Sequence, residues 1–290
     1  MPWIIEVKYH KKYSKIKKIM ISNLIYNYYN PCKFIYNKSK YELPEHVKKE
    51  IKENWQDLFN SGERFINGDL FTVNNILIGE DKILNFNVIK TNYAHYLYSM
   101  KNNFTEDHIC RSVAANVLPL TSDNYFILGA MAENTSLPNK IKFIGGAMSE
   151  DDLCGDFLEP LKCVTRETRE EIGLDLGNHP HILKLEPRYL ITRKNWFFIN
   201  TLYYAQLNIS KGELIKMFDE HKIYLQKKNE VELDSILFIN NEKKDIESFL
   251  NENERRLIDY LEEFFFVLIG KLDANDIVKR VNSFNFNRGK

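Results

Sequence analysis

The stretch Arg166-Glu167-Thr168-Arg169-Glu170-Glu171-Ile172-Gly173-Leu174 decides the fold of this chain. On an α-helix each residue advances about 100 degrees, so Glu167, Glu170 and Glu171 lie on one face at spacings i, i+3 and i+4. A neighbouring, mostly apolar stripe can pack on a sheet, and it consists of Leu161, Val164, Thr168 and Ile172. The stretch therefore predicts a helix that is anchored on one side and presents three carboxylates beside the anchor.

Three clustered carboxylates repel one another, which destabilises a helix unless something compensates the charge. Hard divalent cations prefer oxygen ligands and are often held by a few carboxylates together with substrate phosphates. Arg166 lies four residues before Glu170 and is expected to orient it through a salt bridge. The alternative is a solvated helix face, which is what most charge runs are. The flanking glycines favour a site, because Gly145-Gly146 ends a predicted strand and Gly173 ends the helix.

The segment resembles the signature of the Nudix hydrolase family. That signature is a glycine, five residues, a glutamate, seven residues, then Arg-Glu, an apolar residue, any residue, Glu-Glu, any residue, Gly and an apolar residue. Residues 166–174 match its second half, except that Thr168 takes the apolar position. Gly146 matches its glycine, but the spacing to Arg166 is about six residues longer than in the family. Leu158 takes the place of the first glutamate, with Glu159 next to it.

The resemblance covers about residues 114–238 and implies a mixed sheet between helices. It also implies that Mg²⁺, or alternatively Mn²⁺, is bound by Glu167, Glu170 and Glu171, with the backbone of Gly145 or Gly146 nearby. Such an ion neutralises diphosphate charge and activates water for attack, and a glutamate accepts the proton. Family members often add one more acid from a downstream loop, and Glu230 and Glu232 are the two candidates here. Glu170, Arg166 and Glu230 are the predicted catalytic residues.

The implied reaction is hydrolysis of a diphosphate bond in a nucleoside diphosphate linked to a sugar or to a second nucleotide. For substrate binding we predict Arg193 and Trp196, because an arginine can grip phosphate and an aromatic ring can stack on a base. Three alternatives stay open. They are a Nudix-fold module that senses a nucleotide without cutting it, hydrolysis of the messenger-RNA cap, and isomerisation of an isoprenoid diphosphate.

The rest of the chain predicts an α/β (α+β) fold with two parts. Residues 1–106 are expected to form an N-terminal α+β extension, and residues 107–290 the Nudix domain with C-terminal helices. The extension has predicted strands at 3–9, 32–36, 70–78 and 83–91 and a helix at 42–59. A single amphipathic helix is predicted over residues 245–272. The extension could complete the substrate pocket or form the interface of a homodimer.

The composition of the chain limits the classes of partner that it can bind. The 290 residues include 40 basic and 40 acidic side chains, so the net charge is zero. A nucleic-acid coat or an electrostatic membrane binder needs a basic excess, which argues against both. The four cysteines form no CxxC pair, and no apolar run approaches the roughly 20 residues that span a bilayer. We therefore expect a cytoplasmic protein with reduced thiols whose partner is a nucleotide-type small molecule.

Overall fold

The computed structural model describes residues 23–27, 32–39, 42–62, 66–79, 83–102, 108–177, 180–193 and 198–274. The strand predicted at residues 3–9 and the predicted stacking residue Trp196 lie outside these ranges. None of the helices within them is long and apolar enough to cross a membrane.

The strands belong to one mixed sheet. Within the described ranges they are β1 (Asn23–Asn27), β2 (Cys32–Tyr36), β3 (Asp69–Ile78), β4 (Leu84–Asn92), β5 (Ser112–Leu120), β6 (Tyr125–Met131), β7 (Ile141–Lys142), β8 (Ile144–Ala147), β9 (Leu153–Cys154), β10 (Phe157–Leu158), β11 (Ile182–Arg193), β12 (Phe198–Leu207) and β13 (Leu233–Asn240). The helices are α1 (Glu45–Asn60), α2 (Tyr93–Lys101), α3 (Pro160–Ile172), α4 (Lys211–Lys228), α5 (Lys243–Asn253) and α6 (Leu261–Leu268). A 3₁₀ turn covers Glu150–Asp152.

Strand β5 is the centre of the sheet, and each of its residues is buried. It pairs in parallel with β12 along its whole length and antiparallel with β8, which carries the Gly-Gly pair. It also meets β6 at Leu120 and β3 at Ser112. The parallel β5–β12 and β2–β4 pairs among antiparallel neighbours make the sheet mixed, as predicted.

Helices cover both faces of this sheet. Side chains alternate along a strand, so Val113, Ala115 and Val117 of β5 pack in the same core as residues of α3 and α4. Leu118 and Leu120 contribute to the opposite core, together with residues of α5 and α6. The predicted fold class, a mixed sheet between helices, is confirmed. The consequence for function is that α3 lies on one face and the C-terminal helices on the other.

The N-terminal strands are continuous with the rest of the sheet. Strand β3 reaches β5 through Thr72 and Ser112, β2 pairs with β10, and β1 pairs with β11. The predicted strands at 32–36, 70–78 and 83–91 are all present as β2, β3 and β4. The predicted domain boundary at residue 106 falls just outside the described residues and stays a prediction.

The prediction of one helix over residues 245–272 is wrong. The chain forms α5 and α6, separated by a segment that pairs with the edge of β7. The Ile141 amide donates to the Arg256 carbonyl at 2.8 Å, and the Ile258 amide donates to the Ile141 carbonyl at 3.0 Å. A buried backbone edge requires hydrogen-bond partners, and satisfying Ile141 interrupts the helix although the apolar periodicity continues.

Helix α2 was not predicted from the sequence. Its N-cap is Asn92, whose side chain accepts from the amide of His95 at 3.1 Å. The buried His95 ring donates from Nε2 to the His108 carbonyl at 2.7 Å, so Nδ1 is left to accept from the Thr91 hydroxyl at 2.8 Å. The ring therefore holds α2 to β4 and to the start of the following segment in its neutral form. Burial lowers the pKa of His95 below its ordinary value of 6.5.

This lowered pKa predicts an acid-sensitive fold. The unfolded state binds a proton on His95 more readily than the folded state does, so the contribution of the neutral ring is present above pH 6.5 and is lost as the pH falls below it. Urea unfolding between pH 8 and 5 should show a shallower decline for His95→Gln than for the parent chain. The exposed His46 provides the control, and His46→Gln should keep the parent slope. Equal slopes in all three proteins would contradict the assignment.

Candidate active site

Helix α3 is fixed at both ends. Pro160 occupies its first turn, where a missing amide is tolerated. Gly173 ends it in the left-handed conformation with φ 74°. A Cβ on Gly173 would lie 2.9 Å from the His221 ring of α4, so glycine also permits close packing. The His221 Nε2 donates to the carbonyl of Glu170 at 2.8 Å, which joins the end of α3 to α4.

The Gly-Gly pair of β8 lies directly against the acidic face of α3. The Gly145 amide donates to Glu171 Oε2 at 2.8 Å. Gly145 has φ 127°, and a Cβ there would lie 2.4 Å from the Ala115 carbonyl oxygen. A Cβ on Gly146 would lie 2.4 Å from Glu167 Oε2. Two adjacent glycines therefore bring the strand backbone into contact with two of the three predicted metal ligands.

Glu171 is buried, with 2% of its side chain exposed, and it forms an ion pair with Lys142. The Lys142 ammonium donates to Glu171 Oε1 at 2.5 Å and to the Gly145 carbonyl at 2.7 Å. Burial opposes the charge on Lys142, but the Glu171 carboxylate outweighs it, and the pKa of Lys142 is raised. Burial raises the pKa of Glu171, and Lys142 acts against that effect. Each charge offsets part of the hydration that its partner loses on leaving water.

Glu167 lies one helical turn before Glu171 and is also largely buried. Burial first, and the neighbouring Glu171 second, raise the pKa of Glu167 to about 7. Arg166 acts in the opposite direction and donates from Nη1 to Glu167 Oε1 at 2.7 Å. Each of the two carboxylates has a cationic partner, yet Glu171 still raises the pKa of Glu167, so the two side chains repel each other. An additional cation beside them would reduce that repulsion.

On the exposed side of this cluster, the Arg166 guanidinium forms ion pairs with several carboxylates. It donates from Nη1 to Glu170 at 3.1 Å, so the predicted salt bridge is present. It also makes two bonds with Asp152, from Nε at 3.1 Å and from Nη2 at 2.9 Å. Asp152 is fully buried in the acidic insertion, where its Oδ2 also accepts from the Ser149 amide at 2.8 Å. The insertion therefore supplies a two-pronged anchor that holds the Arg166 guanidinium in place.

Glu170 is the most exposed of the three glutamates, with 57% of its side chain in solvent. It lines a cavity of about 530 Å³ together with Glu167 and Glu171. Both downstream candidates, Glu230 and Glu232, line the same cavity, opposite the helix. All five acids are thus brought to one opening.

The two downstream acids differ in their surroundings. The turn that carries them begins at Asn229, which ends α4 with φ 59°. Glu230 pairs weakly with Lys228 at 3.9 Å. Glu232 acts on the buried ion pair, since its charge raises the pKa of both Lys142 and Glu171. Electrostatically, Glu232 is the closer acid.

Arg169 stands apart from these networks. It lines the 530 Å³ cavity and also a second cleft of about 760 Å³ on the other side of α3, together with Glu170. Its side chain is exposed, and among the described residues no ion pair or hydrogen bond engages its guanidinium. A guanidinium without a carboxylate partner at the junction of two clefts is available for an anionic ligand.

The predicted substrate residue Arg193 lies elsewhere, at the end of β11. It donates from Nη2 to Asp259 at 2.5 Å, and its guanidinium lies 5.5 Å from the centre of the Phe198 ring. Arg188, on the same strand, pairs with Glu186 at 3.5 Å. The structure therefore ties Arg193 to the segment before α6 and does not bring it to the cavity of the glutamates.

Two residues of the site, Lys142 and Asp152, were not predicted from the sequence. Lys142 is 29 residues from Glu171, and Asp152 is 14 from Arg166. A usable signal existed for each. Lys142 precedes the Gly-Gly pair on a strand whose inward positions are otherwise apolar, and Asp152 lies in an acidic insertion that has no counterpart in the family signature.

The donor chemistry of the site fits a hard divalent ion, but the carboxylates have not converged on one point. Among the described residues, no group of three or more histidine, cysteine, aspartate or glutamate side chains is placed to hold a metal ion. A stand-in cation is nevertheless present, because the Lys142 ammonium is bound by two oxygens of the predicted site, Glu171 Oε1 and the Gly145 carbonyl. Oxygen ligands of this kind are those that Mg²⁺ and Mn²⁺ take in proteins.

No family model matches the chain, and no curated protein matches it. It is similar to the solved structure of Tm1382, a protein named as a candidate Nudix hydrolase, with 12% identity over 75% of this chain and 96% of that one and a TM-score of 0.36. It is similar to the MutT protein of Methanosarcina mazei Go1, with 15% identity, coverage of 53% and 89%, and a TM-score of 0.31. A third similar structure is DR0079 from Deinococcus radiodurans, with 12% identity, coverage of 59% and 82%, and a TM-score of 0.32. Tm1382 is thus named for the family whose signature the motif resembles.

The two glycines of β8 should respond differently to the same substitution. Gly145→Ala places a methyl against backbone at a positive φ and should lower the free energy of unfolding by about 2 to 4 kcal/mol. The three atoms nearest a Cβ on Gly146 belong to the Glu167 carboxylate, which can move by side-chain rotation, so Gly146→Ala should lower stability by about 1 kcal/mol or less. Urea denaturation measures both. Equal losses in the two variants would contradict the described contacts.

Proposed function

We propose that this chain is a Nudix-type hydrolase that uses Mg²⁺, or alternatively Mn²⁺, to cleave the diphosphate bond of a nucleoside diphosphate linked to a second moiety. The second moiety is a sugar or another nucleotide. The proposal is supported above all by one arrangement. Glu167 and Glu171 of α3 meet the Gly-Gly backbone of β8, and together with Glu170 they line a cavity that also receives two acids from the turn after α4. A solvated helix face would leave all three glutamates exposed, whereas Glu171 is buried and the Glu167 side chain is only 14% exposed.

A divalent ion held by Glu167, Glu170 and Glu171 would neutralise diphosphate charge and activate water. Around the site, four carboxylates meet only two engaged cations, since Glu167, Glu170, Glu171 and Asp152 face Arg166 and Lys142. This excess of negative charge at a partly buried position favours occupation by a further cation. The same excess would repel a diphosphate in the absence of one.

The roles of the individual residues follow from their exposure. Glu170, at the open side of the cavity, is placed to take a proton from water while Arg166 restrains its rotation. Arg166 acts as a positioning residue, because its bonds with Asp152 fix the guanidinium before any substrate arrives. Glu232 or Glu230 would contribute the additional acid from the opposite wall, and the charge coupling of Glu232 to Lys142 and Glu171 favours it.

A non-catalytic sensor with the same fold is the main alternative. A sensor does not need the complete acidic trio, and this chain keeps all three glutamates together with the buried Asp152 anchor of Arg166. Cap hydrolysis remains an alternative substrate choice. The neutral net charge of the sequence makes a long RNA channel less suitable, because binding a polyanionic backbone needs a basic excess. The intact acidic trio likewise disfavours isoprenoid isomerisation.

Glu170→Gln should abolish most of the hydrolysis while leaving the fold intact, because Glu170 is exposed. We expect a loss of about 10² to 10⁴-fold in kcat. The measurement is release of nucleoside monophosphate from dinucleotides, nucleotide sugars and capped RNA with Mg²⁺. The control Glu252→Gln changes an exposed glutamate of α5, on the opposite face of the sheet, and should keep parent activity. A parent chain that binds members of this panel but cuts none would instead support the sensor.

Arg169→Ala should weaken substrate binding more than the chemical step. Losing one charge-assisted contact to phosphate should raise KM about tenfold, with kcat changed by less than about threefold. Steady-state kinetics on the best substrate of the panel measures both. The matched control is Arg255→Ala, which removes an exposed arginine outside the cavity lining. If KM is unchanged, the substrate phosphates do not reach the junction of the two clefts.

A further inference from the structure

We propose that Lys142 is a tethered cation that occupies part of the metal position and competes with the divalent ion for Glu171 and the Gly145 carbonyl. This inference rests on the proposed function, since it concerns the same site. It goes beyond that function by assigning Lys142 control over metal occupancy. The structure carries it through the contacts of one ammonium group.

The Lys142 ammonium is surrounded by oxygens of the site. It donates to Glu171 Oε1 at 2.5 Å and to the Gly145 carbonyl oxygen at 2.7 Å. Glu167 and Glu232 also act on it electrostatically. Its side chain is only 13% exposed, so the charge is held inside the cluster and does not extend into solvent. Lys142 differs from a surface lysine because its ammonium binds a buried carboxylate and a backbone carbonyl at the same time, with little exposure to solvent.

Two positive charges cannot share these oxygens without strong repulsion. A buried pair at contact distance interacts far more strongly than the same charges in water. A divalent ion that takes Glu171 must therefore displace the ammonium. Lys142 then becomes free to swing toward the cavity, where the substrate phosphates are expected.

Lys142 also explains how the acidic cluster folds before metal arrives. Glu171 would otherwise be a buried carboxylate with only the Gly145 amide as partner, and an unpaired buried charge is strongly destabilising. The tethered ammonium preserves the geometry of β8 and α3 in the metal-free chain. This stability is obtained at the expense of metal affinity.

The first test measures Mn²⁺ affinity without substrate, by electron paramagnetic resonance of free Mn²⁺ and by calorimetry. Lys142→Met removes the ammonium and keeps the length of the side chain, and it should bind Mn²⁺ at least about tenfold more tightly than the parent chain. Lys140→Met is the matched control. It removes the same charge two residues away, where Lys140 is exposed and donates to the Arg255 carbonyl at 2.9 Å, and it should change affinity by less than about twofold. Equal affinity in parent and Lys142→Met would overturn the proposal.

A second test uses the parent chain and therefore does not depend on how well Lys142→Met folds. Reductive methylation of lysines, followed by peptide mass spectrometry, reports the accessibility of each ammonium. Saturating Mn²⁺ should increase methylation of Lys142 at least about threefold and leave Lys140 unchanged. Unchanged labelling of Lys142 at saturating Mn²⁺ would overturn the proposal.

The two tests separate this inference from the proposed function. Tighter Mn²⁺ binding by Lys142→Met in a chain that cuts no member of the substrate panel would leave the competition standing and remove the hydrolase assignment. Hydrolysis by a parent chain whose metal affinity is insensitive to Lys142→Met would support the hydrolase and remove the competition.

Discussion

The buried ion pair between Glu171 and Lys142 is the constraint on which the rest of the site depends. A carboxylate with 2% exposure requires partners for both oxygens, and here they are the Lys142 ammonium and the Gly145 amide. Because the amide must face the helix, Gly145 adopts a positive φ that other residues rarely take. The pair thus fixes the distance between β8 and α3, and through β8 it fixes their common relation to the central strand β5.

A second ion pair, between Asp152 and Arg166, orders the exposed side of the acidic cluster, as the Lys142–Glu171 pair orders its buried side. Asp152 holds Arg166 from the loop before the helix, and Arg166 in turn holds Glu167 and Glu170. The longer spacing between Gly146 and Arg166 therefore has a structural consequence, because the extra residues form the 3₁₀ turn that buries Asp152. The side chain at position 158, where the signature has a glutamate, is Leu158, which packs in the core instead. Asp152 of this insertion anchors Arg166.

Local sequence was sufficient for many of the elements, with α2 and the break between α5 and α6 as exceptions, and insufficient for their contacts. The helix around residues 166–174, its end at Gly173 and the strands predicted at 70–78 and 83–91 follow from periodicity and turn residues, whereas the mixed sheet follows from the family resemblance. Lys142 and Asp152 stand out locally, one as a charge on an apolar strand and the other in the acidic insertion, but their partners could not be assigned. Each meets its partner through the folding of segments that lie apart in the chain, and periodicity contains no information about that. The choice between Glu230 and Glu232 likewise depends on how the turn after α4 faces the ion pair.

The division of the predicted C-terminal helix into α5 and α6 also depends on a contact between distant segments, which local sequence does not reveal. The apolar residues of the predicted helix recur at helical spacing on both sides of the polar run at 251–256, yet the chain leaves the helix there and satisfies the backbone of Ile141. Ile141 immediately precedes Lys142 on β7. The segment between α5 and α6 therefore supports β7 on one side of the sheet, while the Lys142 side chain reaches Glu171 on the other side. Phe143, the next residue, stacks on Tyr260 at 5.7 Å and completes that support. A short two-residue strand can therefore hold a buried ammonium in place, because both of its faces and its edge are occupied.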